Sequence, residues 1–264
     1  MIVSTIASIV VLILGAIVLA SDSDLANEIT TNPTRGMKDL AVEYPGLFIF
    51  INFVNAYLVA ALCEESIKYF GYRMVETPDL LSSTTNSSKT AKSTGAGVTV
   101  AMVSVALGFA CCENLMYIFV YSPPSLGVEV STLLARSLFP VHPLCAAIQS
   151  IGVCKRDIEG DKRYGLGWII FPAMLLHGTF DFVLMLAAYF QQVDDIKEGN
   201  DDDGNMAESD KDEDVDLASQ LPSLICGMAL VIFGYAYYVF QSRAQTKRLI
   251  AADNNARDQN SLLV

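Results

Sequence analysis

Six apolar blocks, each about long enough to cross a bilayer as a helix, divide this 264-residue chain. They cover about residues 2–20, 46–72, 96–121, 132–154, 165–190 and 221–241. A helix needs about 20 apolar residues to span the hydrocarbon core, and a spanning segment must satisfy its own backbone hydrogen bonds. The pattern therefore predicts an all-α fold, a polytopic integral membrane helical bundle with about six transmembrane helices.

The formal net charge of −12 comes mostly from one segment. Between Asp194 and Asp216 there are twelve acidic residues and two lysines, with no hydrophobic period. This composition predicts a solvated, disordered loop, and no basic stretch indicates a nucleic-acid partner. The chain is predicted to comprise an N-terminal signal anchor or signal peptide with a luminal or exterior segment (1–45), a membrane core (46–190), the acidic loop (191–220), and a last transmembrane helix with a cytosolic tail (221–264).

Lysine and arginine are concentrated in the connections on one side of the predicted bundle, for example residues 155–164. The positive-inside rule makes that side cytosolic, so both termini are predicted to be cytosolic and the acidic loop luminal or exterior. The sequence does not choose between the plasma membrane and an endomembrane. Residues 2–20 form either an uncleaved helix or a signal peptide, because Val18-Leu19-Ala20 resembles a cleavage site but no positive side chain precedes it.

Ionisable groups inside the apolar blocks are the strongest indication of function, because a charge in hydrocarbon costs free energy and usually has a role. The chain has only two histidines, and both lie inside such blocks. Carboxylates and an amide occupy comparable positions. The candidate site residues are, in chain order, Glu64, Glu65, Glu113, Asn114, His142, His177 and Asp181.

The glutamate pair lies within reach of Lys68, which follows Glu64 by four residues and Glu65 by three. On a helix Lys68 can pair with either carboxylate. One glutamate can then stay ionised while the other moves a proton as a general base or acid. The alternative is a helix end, where Lys68 snorkels and both glutamates meet water.

Each histidine has neighbours that can orient it. Pro140 and Pro143 flank His142 and are predicted to kink the helix there and aim the imidazole. Asp181 follows His177 by four residues, so it lies on the same helical face and can fix the tautomer of that ring or act as a second ligand.

Candidate residues on three of the predicted spans lie at similar depths in the membrane. Counted from the cytosolic ends at 1.5 Å per residue, Glu64, His142 and His177 lie at about 12 to 18 Å and Glu113 at about 24 Å. Glu113 therefore joins them only if its helix tilts or kinks. Beside it, Ser104, Gly108 and Cys112 recur every fourth residue, a ridge at which another helix can pack closely.

Read in order, Glu64-Glu65-x-x-Lys68, Phe109-x-x-x-Glu113-Asn114, His142 and His177-x-x-x-Asp181 resemble the motifs of the PrsW family of intramembrane proteases. That family is similar to the CAAX prenyl endopeptidase and Abi proteins. The resemblance covers about residues 46–190. It implies that this core is a protease that hydrolyses peptide bonds of membrane-anchored protein substrates in the bilayer.

Two versions of the chemistry stay open. Glu64, His142 and His177 can hold Zn²⁺ with an open position for water. Alternatively Glu64 or Glu65 deprotonates a water molecule and the histidines stabilise the developing oxyanion. In both versions the resemblance assigns Glu113, Asn114 and Asp181 to supporting positions. Zn²⁺ is the candidate cofactor.

Two other functions fit the same residues. Intramembrane Glu, His and Asp also build proton relays, so a proton-coupled transporter is the first alternative. A catalytically inactive scaffold that kept the fold is the second. The transporter would cause proton flux without peptide cleavage, and the scaffold would do neither.

Overall fold

The computed structural model describes residues 22–75, 90–121, 137–197 and 217–261, and every regular element in these ranges is helical. The first predicted block, at 2–20, lies outside the described residues, as does 198–216, most of the acidic segment. The helices are α1 Ser23–Thr31, α2 Pro33–Glu43, α3 Pro45–Val54, α4 Leu62–Met74, α5 Ala91–Met116, α6 Val141–Asp157, α7 Leu166–Lys197 and α8 Leu217–Ser261. A π-helical segment, Asn55–Ala61, joins α3 to α4, and another, Tyr117–Tyr121, extends α5.

Four of the described helical runs are long and apolar enough to cross a membrane: Pro45–Met74, Ala91–Phe119, Leu166–Phe190 and Leu221–Gln259. They coincide with four of the six predicted blocks, and the prediction of an all-α membrane bundle is confirmed. The block at 132–154 is described only from residue 137, and its helix α6 has 17 residues. At 1.5 Å per residue α6 is about 26 Å long, somewhat less than the hydrocarbon core.

The prolines around His142 lie at a break in the helical backbone, since residues 137–138 are helical, 139–140 are not, and α6 begins at Val141. Pro140 is the residue that precedes the first turn of α6, and Pro143 lies within that turn. Proline is tolerated there because the first N–H groups of a helix have no partner inside it. The helical backbone is thus interrupted just before His142, which is the second residue of α6, and the aiming of the imidazole by the prolines stays a prediction.

The chain divides into two compact units, and the first comprises residues 1–60 and 178–227. Its described core contains Leu40, Phe48, Ile51 and Tyr189, with the Phe48 and Tyr189 rings 5.1 Å apart. The Tyr189 hydroxyl donates to the carbonyl of Ala41 at 3.2 Å. A buried tyrosine needs such an acceptor, so this bond fixes its ring in the core.

In the same unit Gly178 permits a close approach of the Tyr57 ring. A Cβ atom at Gly178 would lie 2.6 Å from Tyr57 Cδ1, and the ring is fixed because the Tyr57 hydroxyl is 2.8 Å from Thr179 Oγ1. We expect Gly178→Ala to lower the free energy of unfolding by about 1–3 kcal/mol through overpacking, measured by denaturant unfolding in detergent. The control is Gly108→Ala, where a Cβ meets nothing within 4 Å. An equal loss in both variants would contradict the packing argument.

The second unit comprises residues 61–177 and 228–264 and contains every residue of the site described below. The buried core of this unit joins α4, α5, α6 and the start of α7. Its buried members are Tyr69, Tyr72, Val98, Met102, Ala106, Ala146, Val153, Cys154, Ile169 and Ile170. These helices therefore form one packed group that can hold side chains from each of them at fixed positions.

The α5 helix packs through a different face from the one predicted. Gly95, Val98, Met102 and Ala106 are buried, whereas Ser104, Gly108 and Cys112 are exposed. The predicted ridge of small residues is therefore not a helix contact among the described residues.

The C-terminal part of α8 is attached to the same unit by polar contacts. Asp253 accepts from the backbone N–H of Ala91 at 2.7 Å, which satisfies an N–H in the first turn of α5. Arg248 donates to both oxygens of Glu159, at 2.7 and 3.0 Å. Both contacts join α8 to segments at the predicted cytosolic end of the unit.

Candidate active site

The glutamate pair lies in the first turn of α4, directly after the π-helical segment, and both side chains are buried. π-helical turns inside longer helices occur frequently at functional sites. Adjacent residues on a helix point in directions about 100° apart. The two carboxylates therefore meet different neighbours and can have different roles.

Glu65 is fully buried and both of its carboxylate oxygens accept hydrogen bonds. Oε1 accepts from the ammonium of Lys68 and from His177 Nδ1, the latter at 2.7 Å. Oε2 accepts from Gln149 Nε2 at 2.7 Å. Lys68 is 1% exposed, so this is a buried ion pair with its remaining lone pairs satisfied, the condition under which such a pair is tolerated. The sequence left Lys68 a choice of two partners, and it pairs with Glu65.

The bond to Glu65 determines which nitrogen of His177 faces the site. A carboxylate only accepts, so Nδ1 carries a proton, and in the neutral ring Nε2 then has the lone pair. Nε2 lies 3.7 Å from Glu64 Oε2. His177 is 3% exposed, and its ring stands at 90° to the His142 ring with centroids 5.1 Å apart.

His142 is held in the opposite way. Its Nε2 lies 2.7 Å from Glu113 Oε2, and its Nδ1 lies 3.0 Å from Lys68 Nζ and 3.9 Å from Glu64 Oε2. Because an ammonium only donates, Nδ1 accepts from Lys68 and has the lone pair, and in a neutral ring the proton is then on Nε2, the nitrogen beside Glu113. The Phe109 ring packs edge-on against His142 at 5.6 Å. Glu113, predicted to lie deeper, thus reaches the site.

Three donor atoms converge at this point. One carboxylate oxygen of Glu64 and one nitrogen each of His142 and His177 all lie within 4.8 Å of one another. This is the donor set of a catalytic zinc site with three protein ligands. His177 also donates its other N–H to a carboxylate, and the other nitrogen of His142 lies 2.7 Å from one. Carboxylates in such positions orient metal-ligating imidazoles.

The residues therefore fit a divalent cation. The ammonium of Lys68 competes with such an ion for one of the three donor atoms. Lys68 Nζ contacts His142 Nδ1, so an ion bound at that nitrogen would replace this contact. Ionised Glu64, Glu65 and Glu113, with the Lys68 ammonium and two neutral imidazoles, would carry a formal charge of −2. A divalent cation neutralises that charge, and a buried net charge is costly without such compensation.

The structure brings together five of the seven candidate residues, namely Glu64, Glu65, Glu113, His142 and His177. Asn114 follows Glu113 on α5 and is half-buried. Asp181 lies one turn beyond His177 on α7, while the Nδ1–H of His177 is taken by Glu65. The predicted supporting roles of Asn114 and Asp181 stay predictions.

Sequence reasoning missed Gln149 altogether and missed the contact between Lys68 and His142. Gln149 follows His142 by seven residues, two helical turns, so the two lie on one face of α6. An amide two turns from a histidine inside an apolar block was the available signal. Nothing in the spacing of Lys68 from the glutamates indicates its contact with His142 on a different helix.

Residues 3–196 match the family model described as PrsW family intramembrane metalloprotease. The chain is also similar to three bacterial proteins named Protease PrsW. It is 33% identical to that of Clostridioides difficile (strain 630) over 52% of this chain and 53% of the relative. It is 33% identical to that of Geobacillus kaustophilus (strain HTA426) over 50% of this chain and 52% of the relative. It is 34% identical to that of Bacillus subtilis (strain 168) over 31% of this chain and 36% of the relative.

The chain thus spans about half the length, or less, of the curated relatives that it matches. No solved structure matches it. The family model covers all five of the residues that the structure brings together.

Proposed function

Because this chain belongs to the PrsW family of intramembrane metalloproteases, we propose that it is an intramembrane endopeptidase that hydrolyses peptide bonds of membrane-anchored protein substrates. The observation that carries the proposal is the convergence of Glu64, His142 and His177 within 4.8 Å, on helices of a membrane protein. Buried carboxylates behind both imidazoles support it, because a hydrolytic site needs its groups held in fixed orientations.

We assign the two glutamates different roles. Glu65 has both oxygens committed to Lys68, His177 and Gln149, so it is the group that holds the others in place. Glu64 Oε2 faces both histidines, at 3.9 Å from His142 and 3.7 Å from His177. Glu64 is therefore the carboxylate that meets the attacking water.

In the version without a metal, Glu64 takes a proton from water while the water oxygen bonds to the scissile carbonyl carbon. The bond from that carbon to the peptide nitrogen then breaks, and Glu64 gives its proton to the departing amine. In this version the developing oxyanion needs an N–H donor, so one imidazole must take a proton on the nitrogen that faces Glu64. In the other version Glu64, His142 and His177 hold Zn²⁺, which would polarise the carbonyl and lower the pKa of a bound water.

The test uses the full chain in lipid nanodiscs with a panel of single-span reporter proteins carrying N- and C-terminal tags. We expect the wild type to cleave at least one reporter and the His177→Ala variant to cleave none. If 1,10-phenanthroline stops cleavage and added Zn²⁺ restores it, the metal version holds, whereas unchanged cleavage supports the other. Cleavage by the His177→Ala variant at the wild-type rate would contradict the proposal.

One observation favours a second candidate, a proton-coupled transporter. Glu113, His142, Lys68, Glu65 and His177 are joined in an unbroken series of polar contacts, and such series of intramembrane groups relay protons. Proton flux into proteoliposomes without cleavage of any reporter would support the transporter. Neither flux nor cleavage would support an inactive scaffold.

For the setting of the site, we propose a multi-pass protein of the plasma membrane or an endomembrane with both termini in the cytosol. The distribution of lysine and arginine along the sequence supports this orientation. The partners are then a membrane-anchored protein substrate and the lipid bilayer.

A further inference from the structure

Gln149 is a completely buried amide in the middle of α6. Its neighbours along the helix are Ile148 and Ser150, and all three are buried. A polar side chain in such surroundings costs free energy unless it forms hydrogen bonds. Leucine or methionine would fill a similar volume without this cost, so filling space does not explain the amide.

The contacts of Gln149 are directed at Glu65. Its Nε2 donates to Glu65 Oε2 at 2.7 Å and lies 3.2 Å from the backbone carbonyl oxygen of the same residue. Both oxygens that Nε2 meets are acceptors. Because only the NH₂ group of an amide can donate, these two contacts fix the orientation of the Gln149 amide. Gln149 Oε1 has no hydrogen-bond partner among the residues that the structure describes. The described hydrogen bonds of this side chain are therefore made by its NH₂ group, which donates to Glu65.

Through Glu65 this donor acts on a histidine. With Oε2 held by Gln149, the carboxylate presents Oε1 to His177 Nδ1 at 2.7 Å. Without that donor the carboxylate can turn through the broad range of its last torsion, so that neither oxygen is held at hydrogen-bond distance from His177 Nδ1. Lys68 does not prevent the rotation, because an ammonium can bond to either oxygen.

We propose that Gln149 is a positioning residue that acts through Glu65 to hold His177 in its Nδ1–H tautomer, with Nε2 facing Glu64. The two histidines then present opposite nitrogens to Glu64, Nε2 from His177 and Nδ1 from His142. Lys68 connects His142 to Glu65, but Glu113 on α5 holds the other nitrogen of His142 directly. Removing the amide should therefore disturb the His177 ring, while the Glu113 contact keeps His142 in its tautomer. This inference rests on the proposed protease function for its catalytic consequence only.

The chain suits a direct measurement, because it has only two histidines. The full-length protein in nanodiscs is labelled with ¹⁵N-histidine, and NMR distinguishes protonated from unprotonated ring nitrogens. A His142→Gln variant assigns the signals. We expect one Nδ1–H and one Nε2–H tautomer in the wild type, before and after treatment with a chelator. A wild-type His177 that is mainly in the Nε2–H tautomer would overturn the proposal, whatever any variant does.

The variant is Gln149→Met, and the matched control is Gln245→Met, the same change at a buried glutamine of α8 that lies outside the site. In Gln149→Met we expect the His177 signals to shift toward a mixture of tautomers while those of His142 stay. Gln245→Met should leave both rings unchanged. An unaltered His177 in Gln149→Met would overturn the proposal. If Gln149→Met does not fold, Gln149→Asn, which keeps the amide but is too short to reach Glu65, takes its place.

Kinetics on a reporter that the wild type cleaves give the second measurement. We expect Gln149→Met to lower kcat about 10–100-fold, the usual effect of losing a group behind a site residue, with little change in KM. Gln245→Met should retain the wild-type kcat. If the wild type cleaves no reporter but shows the expected tautomers, the protease proposal fails and the positioning role of Gln149 stands. If it cleaves and Gln149→Met matches it, the positioning role fails alone.

Discussion

Glu64→Gln is expected to lower kcat/KM for cleavage of a single-span reporter by about 10²–10⁴-fold, the contribution typical of a general base. Glutamine keeps the size of the side chain, but its neutral amide cannot take a proton from water. It also lacks the negative charge with which a carboxylate binds a cation. The loss therefore follows whether Glu64 acts as base or as metal ligand. The measurement is reporter cleavage by the full chain in nanodiscs, with folding checked by size-exclusion chromatography.

The matched control is Glu43→Gln, the same substitution at an exposed glutamate that ends α2. It should retain wild-type kcat/KM, because its carboxylate lies at the surface. Zinc binding separates the two versions of the chemistry. If Zn²⁺ alone binds the wild type and binds Glu64→Gln much more weakly, Glu64 is a ligand. A Glu64→Gln variant with wild-type activity would remove Glu64 from the mechanism.

The membrane helices were predictable because hydropathy over twenty residues is a property of composition. The block at 46–72 needed no knowledge of its neighbours to be recognised as the run Pro45–Met74. The candidate site residues were predictable for a related reason. A histidine or glutamate inside hydrocarbon is conspicuous wherever the helices pack.

The pairing of these residues was not predictable, because it depends on how each helix is rotated and where it begins. Lys68 can reach Glu64 or Glu65 with equal ease on an isolated helix. In the folded chain its ammonium also contacts His142 on α6, and from that position it pairs with Glu65. Glu113 appeared too deep by a count along its own helix. That count assumes parallel helices whose ends lie at equal depth, and the contact between Glu113 and His142 shows that the assumption fails here.

The same reasoning explains the failure at α5. Ser104, Gly108 and Cys112 form a ridge of small residues on any helix, but a ridge becomes a contact only where a neighbouring helix lies. The neighbours of α5 lie on the face of Gly95, whose Cβ would be 2.9 Å from Leu249 Cδ1 on α8. A single helical sequence with two candidate faces does not reveal which of them its neighbours cover.

Lys68→Met is expected to lower the free energy of unfolding by about 3–5 kcal/mol, the largest stability effect expected among these variants. Lys68 and Glu65 are 1% and 0% exposed, and removing one partner of a buried ion pair leaves an uncompensated charge. The measurement is denaturant unfolding in detergent followed by circular dichroism. Lys92→Met, at an exposed lysine of α5, is the control and should change stability by less than about 0.5 kcal/mol.

The double variant Glu65→Gln/Lys68→Met should recover most of that loss, because it removes both charges. The amide oxygen introduced at position 65 can still accept from His177 Nδ1, and Gln149 can turn its unpaired oxygen toward the new NH₂ group, so the buried polar groups keep partners. Cleavage should nevertheless stay far below the wild-type rate, since a neutral amide orients an imidazole more weakly than a carboxylate does. Stability and activity would then separate in one molecule. A double variant as unstable as Lys68→Met would mean that Lys68 stabilises the fold by packing rather than by its charge.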